Sequence, residues 1–291
     1  MFVPGTVGVI GAGTMGSGIA VVAARAGHRT VLHDVDDARV AAGIDRVHAF
    51  LARSTKLGKL SADQADQARR GLSGSTALEE LSDCDVVIEA VYEDVAVKQR
   101  LFADLDDICK PDTLFHTNTS TLAVTAIAAG SVRRERVVGT HYCNPAPLMS
   151  LVEVVEGRHT SADACRRTHE FLAGVGKTTV TTKDMPGFIV NRFLIPFENN
   201  AIRLLEMNMG TVESIDKAVT QGLRYPMGPF TLLDIVGLDV HRAVSISLYE
   251  QLREPRFAPP PLVDRMIASG DLGRKSGRGF YTYDSTGHFG S

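Results

Sequence analysis

The chain has 291 residues, of which 44% are hydrophobic and 22% are charged, and its formal net charge is -3. This length suits two domains, and the apolar content is sufficient for sizeable cores. The small net charge gives no electrostatic reason to expect a nucleic acid or an anionic membrane as partner. The apolar runs are shorter than the roughly 18 to 20 residues of a membrane helix. No basic segment precedes the first apolar run, so we expect neither a membrane span nor a signal peptide.

The cysteines are few and widely spaced. Cys84, Cys109, Cys143 and Cys165 include no Cys-x-x-Cys pair, which argues against a zinc ribbon or a redox dithiol. Isolated thiols fit a reducing compartment better than a disulfide framework. The sequence therefore favours a cytoplasmic protein without a metal site.

The first half of the chain alternates short apolar runs with helical patterns. Runs that are β-branched and bounded by Gly, Asp or Pro predict strands at 6–10, 30–34, 85–91, 113–117 and 136–141. The intervening patterns predict helices at 15–26, 38–52, 95–109 and 122–129. This alternation indicates right-handed crossovers and a parallel sheet with helices on both faces.

The rhythm changes in the second half of the chain. Two further strands, 151–157 and 177–182, flank a helix at 162–174. Later helices are predicted at 188–208, 211–221, 231–252 and 261–270, with a terminal strand in "GFYTY", 279–283, and an extended proline-rich loop at 255–261. Pro186-Gly187 punctuates the chain. We predict an α/β fold with a mostly parallel sheet domain, 1–184, followed by an all-helical domain, 185–291.

A glycine motif follows the first predicted strand. Gly11, Gly13 and Gly16 form G-x-G-x-x-G at the mouth of a helix. The first glycine permits a tight turn, the second lets a pyrophosphate approach the backbone, and the third allows close helix–strand packing. Free N–H groups and the positive helix end favour phosphates. The strand–turn–helix context is typical of a Rossmann-type dinucleotide-binding domain.

An acidic residue stands where such a domain binds the adenosine ribose. Asp34 ends the second predicted strand, 18 residues beyond Gly16. Asp36 and Asp37 follow it, and no arginine stands immediately beside Asp34. These carboxylates would repel a 2′-phosphate, which favours NAD over NADP. FAD and S-adenosylmethionine are the competing ligands for a crevice of this kind.

A histidine and a glutamate occupy two neighbouring predicted strands in "THYCNPAPLMSLVEVVEG". Pro145 and Pro147 force the chain to turn, and a β-return would bring Glu153 beside His141. A carboxylate that holds one imidazole nitrogen fixes the tautomer and stabilises the protonated form, as a general base requires. A structural histidine with an edge-strand glutamate is the alternative interpretation.

Two polar residues are further candidates for substrate contact. Ser120 lies beside Asn118 between a strand and a helix, where it serves either as a helix N-cap or as a hydroxyl that faces substrate. Asn191 interrupts the apolar run "GFIVNRFLIPF", where its amide makes either a helix–helix hydrogen bond or a substrate contact. Pro196 is expected to kink this helix or to remove one of its hydrogen bonds.

Seven segments in one order resemble the short-chain L-3-hydroxyacyl-CoA dehydrogenase family, which includes 3-hydroxybutyryl-CoA dehydrogenases. They are "GVIGAGTMGSGIA", "DVVIEAVYEDVAVK", "TNTSTL", "THYCNPAPLMSLVEVV", "MPGFIVNR", "YPMGPFTLLDIVGLD" and "GRKSGRGFYTY". The resemblance spans nearly the whole chain. It implies NAD-dependent, reversible oxidation of a 3-hydroxyacyl thioester to the 3-ketoacyl thioester, a place in fatty acid metabolism, and a homodimer formed through the helical domain.

The resemblance also implies roles for individual residues. It makes His141 the base and Glu153 its partner, and it places Ser120 and Asn191 near the substrate oxygens. It assigns Asp34 to the adenosine ribose, and Glu93 and Lys98 to the nicotinamide end of the cofactor. The chain departs from the family pattern at Tyr142-Cys143, where Phe-Phe is usual, at Ser150, where lysine is common, and at Met185, where threonine is usual.

The sequence is compatible with two carriers of the acyl group, CoA and an acyl carrier protein. Arg53, Lys56 and Lys59 are spaced for one helix face and could meet the phosphates of CoA, although three cations at this spacing are more often a solvated helix face. An acyl carrier protein is an alternative carrier. Other classes of function are a non-catalytic NAD-binding scaffold and a Rossmann oxidoreductase that acts on a free hydroxy acid or sugar acid.

Overall fold

The computed structural model describes residues 1–284. The chain divides into two compact units, the first formed by Met1–Phe188 and the second beginning at Ile189. The sequence-based boundary, between 184 and 185, lies in the same short segment. No helix of the described chain is long and apolar enough to cross a membrane.

The first unit contains one sheet with eight strands in its described residues, in the order β3-β2-β1-β4-β5-β6-β7-β8. The strands are β1 (Thr6–Ile10), β2 (Arg29–His33), β3 (Leu72–Ser75), β4 (Val86–Glu89), β5 (Leu114–Thr117), β6 (Val137–Tyr142), β7 (Leu151–Glu156) and β8 (Thr178–Lys183). Every neighbouring pair is parallel except β6 and β7, which are antiparallel. The predicted mostly parallel sheet is therefore confirmed.

Helices cover the sheet of the first unit and bury its apolar strands. They are α1 (Thr14–Arg25), α2 (Asp37–Lys56), α3 (Ala62–Arg70), α4 (Val95–Ile108), α5 (Val124–Ala128) and α6 (Ala162–Gly174). Strands β4 and β5 are buried at every position. A strand buried on both faces does not alternate apolar and polar residues. The polar members of these two strands, Glu89, His116 and Thr117, are buried with hydrogen-bond partners.

One helix and one strand of the first unit were not expected from the sequence. Strand β3 is a polar edge strand, "LSGS". It is held by pairing with β2, and its residues have no strong preference for a strand. Helix α3 is also polar, and it begins at a capping box in which Ser61 and Gln64 satisfy each other's backbone N–H groups. That box is visible in the sequence as Ser-x-x-Gln.

The second unit is helical in its described residues. Its helices are α7 (Val190–Glu206), α8 (Val212–Lys217), α9 (Pro229–Val236), α10 (Leu238–Leu252) and α11 (Pro261–Ala268). Helix α7 continues through Pro196, and helix α8 runs on into a π turn, Ala218–Gly222. The proline-rich stretch is not wholly extended, because it contains a 3-10 turn, Pro255–Phe257, and ends at the first residue of α11.

Two expectations for the second unit were wrong. The single helix predicted at 231–252 is two helices, because Gly237 adopts a φ of 99° that interrupts the helical backbone. The terminal "GFYTY" forms only isolated bridges rather than a strand. The carboxylate of Asp234 accepts hydrogen bonds from the backbone N–H groups of Phe280 and Tyr281, each at 2.9 Å. These two N–H groups are therefore not available to pair with a neighbouring strand.

Candidate active site

The glycine turn after β1 has the geometry that a dinucleotide requires. Gly11 has a φ of 96°, and a Cβ on Gly16 would lie 1.6 Å from the carbonyl oxygen of Gly11. A Cβ on Gly13 would meet no protein atom within 4 Å, so the space beside it is open. Gly13 caps helix α1 without a side-chain hydrogen bond, which leaves the first N–H groups of the helix free for an anion.

Asp34 follows β2 and is fixed by its neighbours. Its Oδ2 accepts a hydrogen bond of 2.8 Å from the backbone N–H of Ala12, and its Oδ1 accepts one of 2.7 Å from that of Val35. The carboxylate thus joins the glycine turn to the end of the second strand. It borders a cavity of about 540 Å³ that is also lined by Gly11, Val91 and Leu101. These residues fit the adenosine half of a dinucleotide.

An arginine approaches Asp34 in space, although none stands next to it in the chain. The guanidinium of Arg39 lies 3.8 Å from Asp34 and 3.2 Å from Asp36, and about half of the Arg39 side chain is exposed. Two carboxylates share this one cation, so the surroundings of the ribose site keep a net negative charge. The preference for NAD over a 2′-phosphorylated cofactor therefore holds.

A buried ion pair lies at the carboxyl end of β4. The Nζ of Lys98, on helix α4, is 2.5 Å from Oε1 of Glu89 and 3.3 Å from Oε2 of Glu93. The other oxygen of Glu89 accepts a hydrogen bond of 2.7 Å from the Thr117 hydroxyl. Glu89 and Lys98 are both buried, whereas Glu93 is partly exposed. One cation is therefore held between two carboxylates at the edge of the sheet where the glycine turn lies.

The pKa values of the two carboxyl groups move in opposite directions. Burial raises the pKa of Glu89, although Lys98 and the Thr117 hydroxyl act against the rise. Burial also acts to raise the pKa of Glu93, but the Lys98 charge and hydrogen bonds from Thr119 and two backbone N–H groups outweigh it, so this pKa is lowered. Glu93 is thus held as a carboxylate.

The loop after β5 is organised by Glu93. Its Oε1 accepts hydrogen bonds from the Thr119 hydroxyl at 2.5 Å and from the backbone N–H of Ser120 at 2.9 Å. Ser120 is not a helix N-cap, because α5 begins only at Val124. The N-cap residue of α5 is Ala123, and the first N–H groups of the helix, those of Val124 and Thr125, donate hydrogen bonds of 2.7 Å to the Asp184 carboxylate. The Ser120 hydroxyl makes no hydrogen bond to any described group.

His141 and Glu153 are direct partners. They face each other across the antiparallel pair β6 and β7, and Nδ1 of His141 lies 2.7 Å from Oε2 of Glu153. Glu153 is completely buried and His141 is 8% exposed. A carboxylate at Nδ1 makes that nitrogen the protonated one, so Nε2 is the nitrogen that remains to exchange a proton. No described group hydrogen-bonds Nε2. The contact proposed from the sequence spacing is present.

The remaining candidates occupy two other elements. Asn191 lies in the first turn of α7, is buried, and has an amide without a hydrogen bond to any described residue. Arg53 and Lys56 are exposed in the last turns of α2. Lys59 is exposed too, but it lies beyond Gly58, where the helix has already ended, so the three cations do not share one helix face. No described carboxylate lies within ion-pair distance of these three.

Sequence reasoning missed two residues of this site. Glu89 falls in a predicted apolar strand, and the signal for its role is a single carboxylate inside an otherwise apolar stretch. Phe188 packs its ring on the imidazole of His141, with ring centroids 5.7 Å apart. Nothing local in the sequence indicates that contact, because Phe188 and His141 are 47 positions apart.

A dinucleotide turn and an imidazole–carboxylate pair, both at the carboxyl edge of one parallel sheet, are found in nicotinamide-dependent dehydrogenases. Residues 6–185 match the family model described as "3-hydroxyacyl-CoA dehydrogenase, NAD binding domain". Residues 187–283 match "3-hydroxyacyl-CoA dehydrogenase, C-terminal domain". The chain belongs to the 3-hydroxyacyl-CoA dehydrogenase family, and it is an NAD-dependent oxidoreductase.

Relatives of known description share this architecture. The chain is 45% identical over 279 residues to 3-hydroxybutyryl-CoA dehydrogenase of Mycobacterium tuberculosis, covering 95% of this chain and 98% of that protein. It is 43% identical to 3-hydroxyadipyl-CoA dehydrogenase of Escherichia coli, covering 96% of this chain and 59% of that protein. The crystal structure of (S)-3-hydroxybutyryl-CoA dehydrogenase from Ralstonia eutropha superposes with a TM-score of 0.90 at 37% identity, covering 97% of this chain and all of that one.

Proposed function

We propose that this chain interconverts a short-chain 3-hydroxyacyl-CoA, such as 3-hydroxybutyryl-CoA, and the corresponding 3-ketoacyl-CoA. The observation that carries the proposal is the 2.7 Å contact between His141 and Glu153 at the sheet edge where the dinucleotide turn lies. Support for the acyl group comes from relatives described as 3-hydroxybutyryl- and 3-hydroxyadipyl-CoA dehydrogenases. NAD, when bound, supplies the carbon that accepts the hydride.

His141 is the general base of the proposed oxidation. Its Nε2 takes the proton of the C3 hydroxyl while the C3–H bond breaks and its electron pair leaves with the hydrogen as hydride. The imidazole gains a positive charge, and the carboxylate of Glu153 at Nδ1 stabilises that charge. In the reverse direction the same nitrogen returns the proton to the C3 oxygen. Protons and electrons balance with no other co-reactant.

Other residues orient the reactants. Ser120 and Asn191 are proposed to donate hydrogen bonds to the substrate oxygen, because each polar side chain lacks a hydrogen-bond partner among the described residues. Glu93 and Lys98 are proposed to contact the nicotinamide end of the cofactor, and Asp34 the adenosine ribose. Arg53, Lys56 and Lys59 are proposed to meet CoA phosphates, since no described carboxylate neutralises them.

Assembly and location are also proposals. A homodimer is supported by large apolar side chains that the helical unit leaves exposed, among them Phe193, Met209 and Leu223. A cytoplasmic location is supported by four cysteines that form no disulfide. The division into a cofactor domain, 1–184, and a helical domain, 185–291, is kept as the proposed functional boundary. Light scattering of the purified protein tests the dimer.

The deciding experiment follows NADH absorbance with 3-ketoacyl thioesters. The panel contains acetoacetyl-CoA, longer chains up to about eight carbons, 3-ketoadipyl-CoA, the same acyl groups on a carrier protein, and free 3-keto acids. We expect turnover with acetoacetyl-CoA and loss of nearly all turnover in His141→Ala, which should still bind NADH. Turnover only with free acids, or a flat trace with every thioester, would refute the proposal. Faster turnover on the carrier protein would move the substrate assignment there.

A further inference from the structure

The segment that ends the first unit is anchored before it reaches His141. The Asp184 carboxylate accepts hydrogen bonds of 2.7 Å from the backbone N–H groups of Val124 and Thr125. Four residues later, the backbone N–H of Phe188 donates to the carbonyl of Met185 at 3.0 Å. The segment between them is therefore a tight turn with a fixed starting point.

Phe188 adopts an unfavourable backbone conformation at the end of this turn. Its φ is 46°, directly after Gly187 with a φ of 76°. A residue with a Cβ is strained in this left-handed region, whereas glycine adopts it readily. Strain of this kind persists where the surroundings require one particular side-chain position, and it is concentrated at functional sites.

The side chain that this conformation presents lies on the imidazole of His141. Phe188 is 3% exposed, the two ring centroids are 5.7 Å apart, and the ring planes are tilted by 55°. The rings are tilted, and the centroid distance lies within the usual range for aromatic pairs. The imidazole turns about its Cβ–Cγ bond, and the Glu153 hydrogen bond restrains that rotation at one atom, Nδ1. A phenyl ring packed against the imidazole is a second restraint on the same rotation, and it acts on the ring as a whole.

We propose that Phe188 is a positioning residue for His141: its left-handed backbone sets the phenyl ring against the imidazole, and the ring holds Nε2 in the orientation for proton transfer. The inference rests on the proposed function, in which His141 is the base. It adds that the base is held by two contacts, a carboxylate at Nδ1 and an aromatic ring at its side.

The test compares two buried phenylalanines of one hydrophobic cluster. Phe188 and Phe102 both belong to the cluster that includes Phe115, and Phe102 packs on Phe115 rather than on His141. Phe188→Leu and Phe102→Leu therefore both remove a buried ring, but only the first removes it from the imidazole. The readouts are kcat, KM, the pH profile of kcat, NADH affinity by fluorescence, thermal unfolding, and the NMR resonances of the His141 imidazole.

We expect Phe188→Leu to lower kcat by roughly 10- to 100-fold, the range that misplacement of a reacting group produces. Its pH profile and His141 resonances should shift, and its NADH affinity should stay within about twofold of wild type. Phe102→Leu should lower thermal stability, with kcat and the His141 resonances close to wild type. Wild-type kcat and resonances in Phe188→Leu, or equal losses of kcat in both variants, would overturn the proposal.

Two controls keep the outcomes distinct. If Phe188→Leu does not fold, Phe188→Met, which is unbranched and adapts to irregular space, is judged by the same criteria. If the wild-type protein turns over no thioester, the proposed function fails, while the His141 resonances still decide whether Phe188 holds the imidazole. If the wild-type protein is active but Phe188→Leu leaves kcat and the His141 resonances unchanged, only the positioning role fails.

Discussion

The ammonium of Lys98 and the carboxylate of Glu89 are 2.5 Å apart, and both side chains are buried. Both charges are removed from water, and each is the nearest opposite charge to the other. Removal of one partner then leaves an uncompensated buried charge, which costs more than the intact pair contributes.

The Glu89→Ala variant tests this dependence. We expect it to lower the free energy of unfolding by about 3 to 5 kcal/mol, because Glu93 alone, partly exposed and 3.3 Å away, is a weaker counter-charge for Lys98. The double variant Glu89→Ala, Lys98→Met should recover part of that loss, since it removes the orphaned charge. Urea unfolding measures all three proteins. A double variant less stable than the single one would contradict the argument.

Glu153→Gln is expected to lower kcat by about 100-fold or more and to shift the pH profile of kcat. An amide at that position no longer stabilises a positive imidazole. The matched control is Glu156→Gln on the same strand, where the carboxylate pairs with exposed Lys183 rather than with a histidine. Steady-state kinetics across pH should show the control close to wild type. Equal effects of the two substitutions would remove Glu153 from its role.

Alanine substitutions at two glycines of the turn should affect stability and cofactor binding differently. Gly16→Ala places a Cβ 1.6 Å from the Gly11 carbonyl oxygen, so the turn must move and both thermal stability and NADH affinity should fall. Gly13→Ala meets no protein atom within 4 Å, so it should unfold near the wild-type temperature while its NADH affinity drops by about tenfold or more. Unchanged affinity in Gly13→Ala would show that no pyrophosphate approaches this backbone.

Tyr142 replaces the phenylalanine that the family pattern leads one to expect. Its hydroxyl is buried and has no hydrogen-bond partner among the described residues. Tyr142→Phe is expected to raise the free energy of unfolding by about 1 to 2 kcal/mol, because it removes an unsatisfied polar group. Tyr283→Phe should have the opposite sign, since that hydroxyl donates to Asp234 at 3.0 Å. A destabilised Tyr142→Phe would indicate a partner for the hydroxyl.

His116 makes stability depend on pH. Burial lowers the pKa of this histidine to about 3, well below the value of 6.5 expected in the unfolded chain. The unfolded state therefore binds the extra proton first, and stability falls as pH drops below about 6.5, by up to about 1.4 kcal/mol per pH unit. His116→Gln should flatten this slope between pH 6 and 4 in urea unfolding. An unchanged slope would assign the effect to other groups.

Much of the fold follows from local pattern. Apolar or β-branched runs predict seven of the eight strands, and the glycine turn and Asp34 lie where the strand–helix alternation predicts them. The pairing of His141 with Glu153 was accessible as well, because two prolines and a short return leave few other geometries. The missed strand β3, "LSGS", is polar and lies at the edge, so its hydrogen bonds come from β2 and not from any preference of its own residues.

The rest of the candidate site depends on contacts between distant parts of the chain. The sequence makes Ser120 a candidate N-cap, but the first N–H groups of α5 donate instead to Asp184, which is 60 positions from Val124. Glu89 has no evident role in the sequence, because its partner, Lys98, lies on the following helix. The contact of Phe188 with His141 depends on a left-handed backbone that no propensity of phenylalanine predicts.

The antiparallel register of β6 and β7 has a consequence for the loop that connects them. His141 faces Glu153 because Tyr142 faces Val152, one step nearer the connecting loop. A shift of one residue in that pairing would turn every β7 side chain to the opposite face of the sheet. A change in the length of loop 143–150 that shifted this register would therefore separate His141 from Glu153. The imidazole–carboxylate pair thus makes the length of this hairpin connection a condition for proton transfer, whatever residues the loop contains.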